Sequence, residues 1–131
     1  MKKLDVNVLM IGNWIKHDPS EWSYRNNDNV DLGNIYFQWE DRDWVALCEC
    51  TLSIEALSAI PLTEEILLKC GFLKKSIELI VYYEHKETGY ILYHIKNKGL
   101  KKGHTNIFYN SLHELQNKFY WDTKKYLQIK L

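Results

Sequence analysis

The sequence predicts an α+β fold, in which two helices cover a mostly antiparallel, strongly bent or barrel-like sheet. Short segments rich in β-branched and aromatic residues alternate with turn residues along most of the chain. Two segments, 63–71 and 111–121, instead combine capping residues with apolar side chains at helical spacing. At 131 residues the chain fits one globular domain, 1–131.

The first part of the chain predicts strands separated by a long polar segment. Apolar residues alternate over 5–10, which indicates a first strand, and Gly12 begins a bend. No period is sustained over 16–34, and loops of that length in compact domains are often functional. The aromatic-rich segments 35–39 and 44–50, joined by charged residues, predict a hairpin.

The segment 60–72 predicts a short helix with clear ends. Thr63 can accept hydrogen bonds from the first free backbone N–H groups, and the two glutamates that follow suit the positive end of the helix dipole. Leu62 and Leu67 occupy the two positions of a hydrophobic staple. Gly71 can adopt the left-handed conformation that ends a helix. A helix of about two turns is marginal alone, so we expect it to dock on a larger core.

A hairpin and a basic loop come next. The segments 77–84 and 90–95 flank a turn that contains Gly89, and both faces are apolar or aromatic. We therefore expect this hairpin to lie in the middle of the sheet. A basic loop is predicted over 96–104, followed by a short strand over 107–109.

The C-terminal part predicts the longer helix and a last strand. Ser111 with Glu114 three residues later forms a capping box, and apolar side chains then recur at helical spacing until about Trp121. Alternation over 127–131 predicts a final strand with one buried face.

Three strings resemble landmarks of one family. Ile60 to Phe72 (IPLTEEILLKCGF) is similar to "PIPLTEEWLLKFGF", Leu9 to Ile15 to "LRIGNYV", and Leu112 to Tyr120 to "VHQLQNLYFALTGEEL". These strings are typical of a family of small uncharacterised proteins from Bacteroidota and their phages. The departures of the chain from them include Ile66 and Cys70, where the central string has Trp and Phe, and Lys124, where the last string has Gly. The resemblance implies a shared architecture and a mobile-element origin, and it carries over no catalytic or binding residue.

Composition narrows the class of protein. No apolar run approaches the roughly 20 residues of a membrane span, and the start of the chain lacks the pattern of a signal peptide, so we expect a cytoplasmic protein without a membrane partner. The charge is unevenly distributed. Residues 1–60 carry 5 basic and 10 acidic side chains, whereas residues 61–131 carry 12 and 7. Each half can thus present a surface of one sign to a partner.

The cysteines and histidines do not form a complete metal motif. Cys48, Cys50 and Cys70 lack a fourth ligand at zinc spacing, so we interpret them as free thiols and expect no metal or other cofactor. His113 and Glu114 open a helical zinc-protease motif, but Asn117 stands where the second histidine is needed. We therefore expect a non-enzymatic protein, while a composite active site stays open as a third class.

The lysines of the basic loop are the first candidate binding site. Lys96, Lys98, Lys101 and Lys102 lie close together in the sequence, and Tyr93 precedes them. Lysines beside aromatic rings suit a phosphate backbone with stacked bases, so this loop predicts a nucleic-acid or nucleotide site. The alternative is a solvated loop without a ligand.

The aromatic residues of the long polar segment are the second candidate site. Trp22 and Tyr24 are either folded back onto the core or exposed as anchors for a protein partner. Partner binding through these two residues is the predicted function, with the nucleic-acid site as the alternative. The sequence leaves the oligomeric state open.

Overall fold

The computed structural model describes residues 4–18, 29–31, 34–103, 105 and 107–129, and the chain divides into two compact units, Met1–Ile60 and Pro61–Leu131. The α+β class and the antiparallel pairing of the strands are confirmed. Each unit contains one open sheet, because the described edge strands of a sheet do not pair with each other. The barrel-like closure is therefore not confirmed, and the single domain stays a prediction.

The described residues of the first unit form a four-stranded antiparallel sheet and one α-helix. Its strands are β1 (Trp14–His17), β2 (Asn29–Asp31), β3 (Asn34–Gln38) and β4 (Leu57–Ala59), in the order β2-β3-β1-β4, and its helix α1 is Asp41–Cys48. Two 3-10 turns, Val6–Val8 and Ile54–Ala56, complete the regular structure of its described residues. Ile15, Phe37 and Trp39 are fully buried in its core.

The strand predicted over 5–10 is wrong. Backbone hydrogen bonds from Val8 to Asp5 and from Leu9 to Val6 close a 3-10 turn there. Leu4 and Leu9 are buried while Val8 is exposed, so burial does not follow the alternation of the sequence.

The hairpin predicted over 35–50 is also wrong in its second half, which is helix α1. The Asp43 carboxylate accepts a 2.7 Å hydrogen bond from the Glu40 backbone N–H, and Asp41 and Asp43 lie in the first turn. These carboxylates stabilise a helix start. Trp44 then packs edge-on against Trp39 at 5.1 Å. Helical capping by charged residues decided the outcome, although the aromatic composition favoured a strand.

In the second unit, the part of the chain that the structure describes forms a five-stranded antiparallel sheet and two helices. Its strands follow the chain order, β5-β6-β7-β8-β9: β5 (Phe72–Ile77), β6 (Ile80–His85), β7 (Ile91–Ile95), β8 (Gly99–Lys102) and β9 (Phe108–Tyr109). Its helices are α2 (Glu64–Lys69) and α3 (Leu112–Thr123). Both helices contact one face of this sheet. Tyr83 of β6 bonds Glu64 of α2, and the rings of His85 and Phe119 of α3 lie 5.0 Å apart.

Helix α2 forms as predicted. The Thr63 hydroxyl accepts a 3.2 Å hydrogen bond from the Ile66 N–H, and Gly71 has a positive φ of 91°. Leu67 is buried, at 1% exposure. The capping residues, the left-handed terminator and the docked leucine are thereby confirmed.

The central hairpin is confirmed with shifted bounds. β6 and β7 pair antiparallel and lie inside the sheet. The predicted strand 77–84 is interrupted, however, because Glu78 and Leu79 form a two-residue turn between Ile77 and Ile80, and Glu78 has a φ of 55°. The polar strand β5 that precedes this turn was not predicted.

Three other C-terminal predictions need correction. The predicted loop 96–104 contains strand β8, so only 96–98 and the residues after β8 connect strands. Ser111 begins α3, but its hydroxyl donates a 2.7 Å hydrogen bond to the Glu114 carboxylate, so the reciprocal capping box is absent. Residues 126–129 form no strand. The left-handed Lys124, with a φ of 61°, ends α3 and turns the chain away.

Candidate functional site

The predicted partner anchors Trp22 and Tyr24 lie outside the described residues. Their role in binding a partner therefore stays a prediction. His104, the last residue of the predicted basic loop, also lies outside them.

The structure divides the four predicted lysines between different environments. Lys96 and Lys98 lie in the turn between β7 and β8, whereas Lys101 and Lys102 are successive residues of β8 and point to opposite faces of the sheet. The Lys102 ammonium lies 3.0 Å from the Asp122 carboxylate of α3 and 5.0 Å from the centre of the Tyr90 ring. Lys102 thus anchors α3 to the sheet, whereas Lys96, Lys98 and Lys101 form no ion pair with another described residue.

Asp122 is the centre of this anchoring network. The Tyr90 hydroxyl donates a 2.8 Å hydrogen bond to it, and Lys118 lies 3.5 Å away. Burial acts to raise the pKa of Asp122, but the hydrogen bonds from Tyr90 and Lys102 outweigh it and hold the pKa below its usual range. Burial, followed by the carboxylate, raises the pKa of Tyr90. The network that holds α3 on the sheet therefore consists of a charged Asp122 carboxylate and a neutral Tyr90 hydroxyl.

The opposite face of the sheet, which we call the outer face, points away from both helices. Strand alternation places Lys101 there, and the cross-strand register aligns it with Lys75, Tyr82, Tyr93 and Phe108. The Tyr82 and Tyr93 rings are 6.0 Å apart and inclined by 46°. The row thus has aromatic rings at its centre and a lysine on each side of the tyrosine pair.

A cluster of aliphatic side chains adjoins this row at one end of the sheet. We call Ile77, Leu79 and Ile80 the β5–β6 tip. Their exposed fractions are 61%, 100% and 53%, respectively. Because large aliphatic side chains gain free energy by leaving water, such a cluster marks a surface suited to contact with another molecule.

The β5–β6 tip also borders a shallow depression of about 490 Å³. Leu79 and Ile80 line it together with Tyr93, Ile95, Lys96 and Lys101. Lys96 and Lys101 therefore bring positive charge directly beside the apolar tip. Sequence reasoning missed Lys75, the tip and Tyr82, because it assigned 77–84 to one continuous strand and left β5 out.

A second cavity, of about 260 Å³, contains a cysteine and a histidine near each other but no nucleophilic pair. Burial raises the pKa of the Cys70 thiol to about 12, and burial lowers the pKa of His85. A thiolate–imidazolium pair requires shifts in the opposite directions. The His85 Nδ1 atom lies 3.1 Å from the Thr88 hydroxyl, and its ring packs between Phe72 and Phe119. His85 is therefore a core residue that fixes the β6–β7 turn.

The remaining candidate ligands are dispersed. Cys48 and Cys50 lie exposed at the end of α1, and Cys70 is buried in the second unit. His113 is buried in α3, where burial lowers its pKa. No three His, Cys, Asp or Glu side chains of the described ranges come together as a metal site. Among the same residues, no helix is long and apolar enough to cross a membrane.

Comparison with protein-family models, curated proteins and solved structures gives no match for this chain.

Proposed function

We propose that this protein is a small non-enzymatic binding protein that docks a protein partner on the outer face of its five-stranded sheet, at the β5–β6 tip. One observation carries the proposal: Leu79 is fully exposed between two other aliphatic residues that are more than half exposed. Aliphatic clusters of this kind are typical of protein interfaces. An origin in a phage or mobile element, suggested by the three sequence landmarks, and a location in the cytoplasm, suggested by the composition, remain part of this proposal.

The charge beside the tip indicates the chemistry of the partner. Lys96 and Lys101 line the depression next to Leu79, and Lys75 lies across the sheet. Two carboxylates lie near this surface: Glu84, which forms an ion pair with Lys75, and Glu78, which lies in the turn beside Leu79. A partner that presents apolar side chains surrounded by acidic residues would match this surface in both respects.

The test compares two variants that add the same charge at exposed aliphatic positions. Leu79→Glu places a carboxylate in the tip, whereas Val45→Glu places one on α1, where Val45 is 54% exposed. Leu79 is fully exposed and Val45 is more than half exposed, so both variants should keep wild-type stability within about 1 kcal/mol. Tagged full-length chains are expressed in cells that carry the gene, and the retained proteins are quantified by mass spectrometry.

We expect Leu79→Glu to lose one defined protein that the wild type and Val45→Glu both retain. The lost protein, once purified, should bind the wild-type chain directly and Leu79→Glu at least tenfold more weakly, since a charge in the centre of an interface costs more than about 1.4 kcal/mol. Equal recovery by all three chains would contradict the proposal and leave Trp22 and Tyr24 as the predicted anchors.

A second candidate function is supported by the cross-strand row. Tyr82 and Tyr93 with Lys75 and Lys101 beside them form the kind of surface on which single-stranded nucleic acid stacks its bases and pairs its phosphates. A fluorescent 20-nucleotide oligo(dT) or oligo(U) at about 50 mM salt is the probe. Lys101→Ala should weaken binding and flatten its salt dependence, while Lys102→Ala should not, because Lys102 faces Asp122. Absence of wild-type binding would exclude this function.

A further inference from the structure

We infer that the partner docks by adding an extended strand to β5, the exposed edge of the five-stranded sheet. The inference rests on the proposed function, because it specifies how a protein partner would engage the surface beside the β5–β6 tip. β5 is the terminal strand of the order β5-β6-β7-β8-β9, and five of its six residues, 73–77, are exposed.

The backbone of β5 presents alternate groups to the edge. The two-residue turn makes Ile77 and Ile80 a hydrogen-bonded pair, and in an antiparallel ladder the inward-bonded residues recur at every second position. Leu73, Lys75 and Ile77 therefore bond β6. The N–H and C=O groups of Phe72, Lys74 and Ser76 point outward, and no residue of the described part of the chain pairs with them. An incoming strand would satisfy these groups.

The side chains of β5 specify the sequence pattern of the added strand. Leu73 and Ile77 are exposed on the outer face with Lys75 between them. Cross-strand neighbours on one face interact most favourably when apolar meets apolar and opposite charges meet. The fitting segment thus has apolar residues four positions apart with an acidic residue midway between them.

The same side chains disfavour a second copy of this chain as the occupant. Antiparallel pairing of β5 with itself about a two-fold axis would bring Lys74 and Lys75 of one copy beside the same lysines of the other, in addition to the ion pairs that they form with Glu64 and Glu84 of their own copy. Like charges directly opposite destabilise a sheet, and edge lysines are a common device against self-association. An acidic segment of a different protein converts this repulsion into attraction.

The test starts from a displayed library of random twelve-residue peptides selected against the full-length chain. We expect the enriched peptides to alternate apolar and acidic residues. Ser76→Pro removes one outward N–H without touching the β6 ladder, and it should weaken these peptides at least tenfold. Ser76→Thr keeps the N–H and should bind as the wild type does.

A second measurement uses the wild-type chain and therefore does not depend on whether Ser76→Pro folds. Each enriched peptide is resynthesised with N-methyl groups on every second residue, in both frames. Strand addition predicts that one frame loses binding at least tenfold and the other keeps it, because only one set of amides faces β5. Hydrogen exchange of the Lys74 and Ser76 amides should also slow when the unmodified peptide binds.

Equal binding by both methylated frames, an absence of enriched peptides, or concentration-dependent dimers in light scattering would each overturn the inference. These results are separable from a failure of the proposed function, which is decided by Leu79→Glu against Val45→Glu. Loss of the partner in Leu79→Glu with unchanged binding by Ser76→Pro would mean that the tip docks a protein without strand addition.

Discussion

Replacing Tyr90 with Phe should destabilise the chain measurably, because it removes one hydroxyl from the Asp122 network. The Tyr90 side chain is buried, and its hydroxyl lies 2.8 Å from a carboxylate whose side chain is 18% exposed. Hydrogen bonds to charged groups contribute about 1.5–3 kcal/mol, so Tyr90→Phe should cost an amount in that range at neutral pH. Lys102→Ala should cost less, below about 1 kcal/mol, since the Lys102 side chain is 39% exposed.

The cost of Tyr90→Phe should depend on pH in a defined direction. The pKa of folded Asp122 lies below its ordinary value of 3.8. A lowered folded pKa contributes stability that is present above pH 3.8 and is lost as the pH falls through the folded pKa. Once Asp122 is protonated, its hydrogen bond with Tyr90 is a neutral one of about 0.5–1.5 kcal/mol. The difference between the wild type and Tyr90→Phe should therefore shrink in acid.

Urea denaturation of both chains, followed by tryptophan fluorescence from pH 7 down to the most acidic pH at which they fold, measures this difference. A double-mutant cycle of Tyr90→Phe with Asp122→Asn isolates the coupling between the two side chains. A cost below about 0.5 kcal/mol at pH 7, or one that stays constant as Asp122 titrates, would refute the reasoning.

Three further predictions concern the end of α2 and the thiols. Leu67→Ala should cost about 2–5 kcal/mol in urea denaturation, because Leu67 is 1% exposed; a loss under about 1 kcal/mol would show that α2 is not docked. Gly71→Ala should cost about 1 kcal/mol or more in the same assay, because its φ of 91° strains any L side chain, and an unchanged midpoint would argue against that conformation. At pH 8 a thiol reagent should label the exposed Cys48 and Cys50 quickly and Cys70 only after unfolding, because burial raises the pKa of Cys70 to about 12. Labelling rates are measured by peptide mass spectrometry, and equal rates for the three cysteines would contradict the burial of Cys70.

The sequence predicted best where local signals agreed with one another. Thr63, the paired glutamates and Gly71 all favour the same short helix, and the structure contains it. The hairpin of β6 and β7 was predictable because its apolar segments and its glycine turn coincide. In both cases the conformational preferences of all these residues favour the same local structure.

The predictions failed where the local sequence favours another structure or gives no signal. Aromatic composition around Trp44 favours a strand, yet the neighbouring carboxylates cap a helix and the indole packs on Trp39 instead. Strand β5 was missed because its exposed polar residues lack alternation; it is held by pairing with β6, which is a tertiary signal. The turn at Glu78 needs a positive φ at a non-glycine residue, which no common turn signal in the sequence indicates.

The candidate site was predictable only in part. Lysines 96, 98, 101 and 102 were recognised as a group, but strand alternation sends Lys101 to the outer face and Lys102 to Asp122. The aliphatic tip was hidden inside a segment interpreted as a buried strand. Glu78 places an acidic residue between two aliphatic ones in that segment, but glutamate is not a common turn signal.

The boundary at Ile60 and Pro61 has a practical consequence for anyone who purifies the protein. It coincides with the change of charge sign, so a first unit of net −5 precedes a second unit of net +5 although the whole chain is neutral. At roughly 10 mM ionic strength the Debye length is about 30 Å, so the attraction between a charged resin and the oppositely charged residues of the chain is little screened. We expect retention on both cation and anion exchangers near pH 7 in dilute buffer, with early elution from each as salt is added.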